Sequence, residues 1–166
     1  LDQIMSNCDV KRCRTKNNTQ GTAKADFRTV TKLGDEVTCD LKIRSSGKSI
    51  MYLIDKATSF CVAGLIDNKT SRECGRILIR KWYGAGMPRI SCLKSDNGKE
   101  WIGDEFASIL KRFSTVRKFT TPLHPNQNGL CERVHMVVDH NMQKLQEEDK
   151  SLNDQDALIW AVLAYN

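Results

Sequence analysis

The chain reads as an α/β protein built on one mixed, five-stranded sheet with flanking helices. Three observations predict it. Residues 36–66 hold three short apolar segments separated by turn formers, and the first alternates strictly. Beyond residue 70 the apolar spacing changes to three or four, the helical period, broken by two more short strands. The resulting order is three strands, then helix, strand, helix, strand, helix, helix, an α/β arrangement with a mixed sheet.

In the first strand Val37, Cys39, Leu41 and Ile43 alternate with Thr38, Asp40, Lys42 and Arg44. Ser45, Ser46, Gly47 and Lys48 make a turn. Apolar strands follow over 50–54 and 60–66, so the first three strands form an antiparallel meander. Asp67 or Asn68 caps a helix over 71–83, with Cys74, Ile77, Leu78 and Trp82 on one face and Gly84, Gly86 and Pro88 at its end. A fourth strand over 89–93 is joined through that helix and so runs parallel to its neighbour. A short helix spans 104–113 and a fifth strand 115–119. Pro122, Pro125, Asn126, Asn128 and Gly129 then make a loop that cannot be regular. The long helix after it carries Leu130, Val134, Val137, Asn141 and Leu145 as its packing stripe, with Glu132 on the opposite face. A last helix runs over 152–166, with Leu158, Ala161, Val162 and Tyr165 on one side.

The 166 residues make one domain, or one domain plus a tail. Residues 1–31 are polar, aperiodic and basic, and read as the tail; the core is 32–166. Leu1 suggests a chain cut from something longer. No apolar run approaches the ~20 residues of a membrane span. The formal charge of +6 favours a polyanionic partner. The odd count of seven cysteines, five of them inside strands and helices, reads as reduced buried thiols.

Three acids stand out by setting. Asp40 leaves the first strand on the face of Thr38 and Lys42. Asp96 follows the fourth strand directly, where Gly98 permits a positive φ and a tight turn, and open α/β sheets place ligands beyond the carboxyl ends of their strands. Glu132 lies just inside the long helix. Any one of them alone is more often a cap or a solvated charge. Converging carboxylates stay ionised together only around a cation, and all-oxygen ligands select magnesium or manganese. Two such ions about 4 Å apart serve phosphodiester chemistry.

These residues carry a resemblance. Thr38-Cys39-Asp40-Leu41-Lys42, Tyr52-Leu53-Ile54-Asp55-Lys56-Ala57-Thr58, Ser95-Asp96-Asn97-Gly98-Lys99-Glu100-Trp101 and His124-Pro125-Asn126-Gln127-Asn128-Gly129-Leu130-Cys131-Glu132-Arg133 resemble the catalytic core of retroviral and gypsy-type retrotransposon integrases. Thirty-five residues separate Asp96 from Glu132, the D,D-35-E spacing of that family. The resemblance covers 36–166 and looks closer to the retrotransposon branch. It implies an RNase H-like fold, with Asp40, Asp96 and Glu132 as the catalytic and metal-binding triad for two Mg2+ or Mn2+ ions. It implies 3′-end processing and strand transfer on DNA, in the nucleus with a cytoplasmic stage, by a homodimer or higher oligomer with no membrane role. The helices over 71–83 and 152–166 match those through which the family dimerises.

Some positions depart from the pattern. Where retroviral integrases carry lysines one and two turns after the glutamate, this chain has Met136 and Asp139. Arg133, His140 and Lys144 are the substitutes for gripping DNA, alongside Asn97, His124, Asn128 and Gly129. Cys8 and Cys13 lack the two upstream histidines of the family's zinc region. They are either the remnant of a zinc site completed in a longer chain or two ordinary thiols.

Other residues have plainer readings. Asp55 takes a turn or sheet-edge role, Glu100 a structural hydrogen bond, Cys131 a packing role, and Trp82, Trp101 and Trp160 places in the core. Two alternatives to an integrase stand. One is a domesticated, inactive relic that binds DNA or protein. The other is a ribonuclease H, against which the 35-residue gap to a helical glutamate argues.

Overall fold

The computed structural model describes residue 30 and residues 32–44, 47–120 and 129–166. The basic segment 1–29 with Cys8 and Cys13, turn residues Ser45 and Ser46, and loop residues His124 and Asn128 lie outside the described residues.

Strands β1 (Glu36–Ile43), β2 (Ser49–Asp55) and β3 (Cys61–Ile66) form the expected antiparallel meander. β1 also pairs in parallel with β4 (Cys92–Ser95), and β4 with β5 (Val116–Phe119), giving the order β3-β2-β1-β4-β5. The fourth strand starts three residues later than its apolar content predicts. Ile90 is fully buried, but the parallel ladder with β1 begins only at Cys92.

Helix α1 (Ser71–Ile77) continues through a π turn (Leu78–Trp82) and a 3-10 turn (Tyr83–Ala85) to Gly86, whose φ of +77° ends it. Its cap is Thr70, not Asp67 or Asn68: Thr70 Oγ1 accepts the Glu73 N–H at 3.2 Å. Thr70 stands immediately before the first helical residue, where a side-chain oxygen reaches the third helical N–H, whereas Asp67 and Asn68 stand too far back. Two short helices follow β4, α2 (Lys99–Ile102) and α3 (Asp104–Arg112), of which α2 was not foreseen. The long helix is α4 (Gly129–Glu148). The last is α5 (Asp154–Tyr165), capped by Asn153 through the Asp156 N–H.

Helices cover both faces of the sheet. Val37, Cys39, Met51, Leu53 and Leu93 face Cys74, Leu78, Trp82, Trp101, Phe106 and Leu110 of α1, α2 and α3. Ile50, Tyr52, Ile54 and Cys61 face Cys131, Val134, Val138, Met142, Ala157, Leu158 and Ala161 of α4 and α5. Four of the five strand and helix cysteines are buried, Cys92 is half-buried, and none is in a disulfide. Trp160 departs from expectation and is 58% exposed. α5 is apolar all round, and a helix on the outside of a domain buries only one side of itself. Among the described residues no helix is long and apolar enough to cross a membrane.

Candidate active site

Asp40 sits in mid-β1, its neighbours Cys39 and Leu41 turned to the opposite core. Its Oδ1 accepts the Leu41 N–H at 2.8 Å, which fixes one side of the carboxylate. Burial pushes the carboxyl above its ordinary range, and the charges of Asp96 and Glu100 add to the push, against the Leu41 hydrogen bond.

β1 and β4 pair as Glu36↔Cys92, Val37↔Leu93 and Thr38↔Lys94. Continuing that register by one repeat of the pleat sets Asp96 beside Asp40. Asp96 Oδ1 accepts the Gly98 N–H at 2.9 Å, which closes the turn after β4. Gly98 has φ −59°, not the positive φ expected of it. A side chain there is opposed instead by Glu100, whose Oε1 lies 2.7 Å from where a Cβ would stand. Glu100 thus folds back over the turn toward Asp40.

Glu132 is exposed in the first turn of α4, where the helix dipole favours a carboxylate. The buried face of α4 is Cys131, Val134, His135, Val138 and Met142, while Val137 is 37% exposed. The packing stripe is therefore turned by about one residue, roughly 100°, from the one read in the sequence. Glu132 lies on the flank of that stripe rather than opposite it. The flank is the one turned toward β1. His135 Nε2 lies 3.7 Å from Asp40 Oδ2, Asp139 forms an ion pair with Lys42, and Arg44 Nη1 meets Met142 Sδ at 3.0 Å. Steps of two along the strand match steps of three or four along the helix, so α4 runs along the Asp40 face of β1.

Among the described residues no three His, Cys, Asp or Glu side chains are gathered tightly enough to hold one ion. The donor chemistry nevertheless fits a hard cation. Burial first, and then the charges of Asp96 and Glu100, disfavour the ionised form of Asp40, and a bound cation relieves that.

His135 is the residue the sequence reading missed. It is 8% exposed, and its ring lies against Tyr52 with centroids 4.3 Å apart at 44°. Tyr52 is the cross-strand partner of Asp40. Neither His135 Nε2 nor the Tyr52 hydroxyl has a hydrogen-bond partner among the described residues. Burial, then the Lys42 charge, pull the imidazole down to about 4, so it is neutral at ordinary pH. Burial and the nearby Asp139 charge push the Tyr52 phenol up. The available signal was a histidine three residues after Glu132, at helical spacing from Cys131 and Val138.

Of the residues expected to meet DNA, Asn97, Gly129, Arg133, His140 and Lys144 are all exposed. Arg133, His140 and Lys144 share one face of α4, about 100° round from Glu132. Asp139, at a place where a family lysine was expected, is already matched by Lys42 from β1. A cavity of about 420 Å3 opens there, with Arg44, Gln143 and Lys150 in its wall. A second, of about 290 Å3, lies on the other side of Asp40 between Thr38, Lys94, Thr120 and Cys131. The plainer readings of two other residues are met. Cys131 is buried and its thiol is pushed up to about 12, chiefly by burial, so it packs rather than attacks. Asp55 is fully buried and accepts the N–H groups of Gly34 and Thr58 and the Thr58 hydroxyl, tying the turn after β2.

No protein-family model matches the chain. In sequence it is similar to the Gag-Pro-Pol polyprotein of sheep pulmonary adenomatosis virus, 28% identical over 121 residues and 72% of this chain. It is also similar to the Pro-Pol polyprotein of feline foamy virus, 28% identical over 96 residues and 58% of this chain. The chain spans only 7% and 8% of the length of those two polyproteins. In structure it is similar to the catalytic core domain of BIV integrase, with TM-score 0.69 and 16% identity over 80% of this chain and 84% of that one. The HTLV-2 integrase catalytic core in complex with magnesium, in a trimeric form, gives TM-score 0.67 and 15% identity over 78% of this chain and 83% of that one. A chain of the simian T-cell lymphotropic virus intasome gives 0.71 and 20%, over 81% of this chain and 49% of that one. The sequence resembles retroviral Pol polyproteins, and the fold is the RNase H-like fold of retroviral integrase catalytic cores, as the sequence reading expected.

Proposed function

We propose that this chain is the core of a DNA integrase that trims the 3′ ends of an element's DNA and joins them to a target DNA. The observation that carries the reading is the pairing of β1 with β4, whose register sets Asp96 beside Asp40 while α4 runs along the same face with Glu132 in its first turn. Asp40, Asp96 and Glu132 hold two Mg2+ or Mn2+ ions in this reading. Bound there, the ions supply Lewis acidity and charge neutralisation for in-line attack at phosphorus.

The chain's own residues do the rest. The Leu41 N–H and the Asp96–Gly98 turn orient two carboxylates before substrate arrives. Asn97 and Gly129 border the site, and Arg133 and Lys144 present their charges, with His140 between them, on one face of α4 to the DNA backbone. In the first step water oxygen bonds to phosphorus, and the 3′ oxygen keeps its bond to the sugar and leaves with a proton. In the second that 3′ oxygen attacks a target phosphodiester and displaces the target's own 3′ oxygen.

DNA is the partner, within a homodimer or higher oligomer, and the nucleus is the place of work. The HTLV-2 cores in trimeric and dimeric forms support association, as does the exposed flank of α5, where Ile159, Trp160 and Leu163 are 41%, 58% and 60% exposed.

The test is Mn2+-dependent resolution of a branched DNA that mimics the joined product. The native chain is expected to resolve it and Asp96→Asn to lose at least about 100-fold. A second reading, an inactive DNA- or protein-binding relic, is favoured by Asp139, which stands paired with Lys42 where a free cation would grip the DNA. Folded native chain without activity would establish that reading. Equal activity in native and Asp96→Asn would refute the assignment of Asp96.

A further inference from the structure

The ring of His135 is a polar group buried at some cost, and nothing in the core requires it. A leucine would fill the same space and leave no unpartnered nitrogen, whose burial is unfavourable. Its Nε2 lies 3.7 Å from Asp40 Oδ2, just beyond hydrogen-bond reach. The other oxygen of that carboxylate is already held by the Leu41 N–H. Tyr52 lies under the ring and is paired across the ladder with Asp40, so the ring's plane is set by the same two strands that set the carboxylate.

We infer that His135 is a positioning residue for Asp40: its Nε2–H takes Oδ2 as Leu41 takes Oδ1, and locks the carboxylate's orientation toward the site. This rests on the reading of Asp40 as a metal ligand. His135 is also three residues from Glu132 on the same helix. A small closing of the 3.7 Å gap therefore draws the first turn of α4, and Glu132 with it, toward Asp40. The histidine ties the helix-borne carboxylate to the strand-borne one. Ligand-orienting partners of this kind are usual around metal sites, and their removal commonly costs about 10–100-fold in metal affinity.

Two measurements test it, neither of them activity. Long-range 1H–15N NMR of the metal-free chain is expected to find the His135 proton on Nε2; a bare Nε2 with the proton on Nδ1 overturns the inference. Mn2+ binding, followed by the electron paramagnetic resonance of the free ion, is then compared among native, His135→Leu, His135→Gln and Asp40→Asn. His135→Leu is expected to weaken binding about 10-fold or more while melting at or above the native temperature. His135→Gln, which keeps an N–H donor of similar reach, is expected to stay within about threefold. Native affinity in His135→Leu overturns the inference, as does an equal loss in both His135 variants that tracks a lowered melting temperature. If Asp40→Asn abolishes binding while His135→Leu keeps native affinity, the inference alone fails. If the native chain binds no Mn2+, the metal reading of Asp40 fails and takes the inference with it.

Discussion

On the face of the sheet covered by α1, α2 and α3, Trp82, Trp101 and Phe106 fill a closed apolar cluster that takes strand residues from β1, β2, β3 and β4. On the face covered by α4 and α5, the buried cluster draws its strand residues from β2 and β3 only. Over β1 and β4 that second face is left to Thr38, Asp40, Lys42 and Lys94, all half-buried, with His135 and Tyr52 at the boundary. One face is closed by packing. The other is closed only on its far half, and the polar groups collect at the edge of the closure. Asp40 there is half-buried, so burial and then the charges of Asp96 and Glu100 raise its carboxyl, yet it is open enough to be reached. The first face supplies the stability against which the second holds unpartnered polar atoms and facing acids.

The largest effect that would sharpen this contrast is on the closed face. Leu78→Ala removes a fully buried side chain far from Asp40 and is expected to cost about 2–5 kcal/mol in urea unfolding, with Mn2+ affinity unchanged. A parallel loss of affinity would show that the two faces are not separable.

An intermediate effect belongs to His135. The unfolded imidazole takes its proton near 6.5 and the folded one only near 4. Between those values the unfolded chain binds more protons, so stability falls as pH drops through that window. The full loss is at most about 3 kcal/mol. Unfolding in chelator from pH 7 to 4 is expected to show it in the native chain and not in His135→Leu, with Asp40 common to both. Identical pH profiles would break the argument that burial holds the ring neutral.

The smallest effect is on Asp40 itself. Its raised folded pKa means that, as pH rises through that value, the stability its protonated form contributes is lost. Metal-free Asp40→Asn is therefore expected to melt slightly higher at pH 7, on the order of 1–2 °C because the site is partly screened by solvent. A lower melting point would place Asp40 with the structural carboxylates, alongside Asp55.

Most of the sheet was legible because period two is a local signal: Val37, Cys39 and Leu41 declare one face and Thr38, Asp40 and Lys42 the other, whatever packs on them. The helices were legible as elements but not in phase. α4 has enough apolar residues to support more than one stripe, and a reading that counts His135 as polar chooses Leu130, Val137 and Asn141 over Cys131, Val138 and Met142. A polar residue's burial depends on what stands opposite it, here Tyr52 from β2, and no local spacing encodes that. The same holds for Trp160, apolar by composition and left outside by the geometry of α5.

The chain alone determined the strands, the order of elements and three acids at family spacing, because propensity, alternation and sequence separation are properties of neighbours along the backbone. Only the tertiary structure decided that Asp40 and Asp96 share a ladder edge, that α4 turns His135 and Asp139 toward β1, and that Lys42 answers Asp139. Those relations join residues 56 to 97 positions apart, and they are set by packing and register rather than by any residue's own preference.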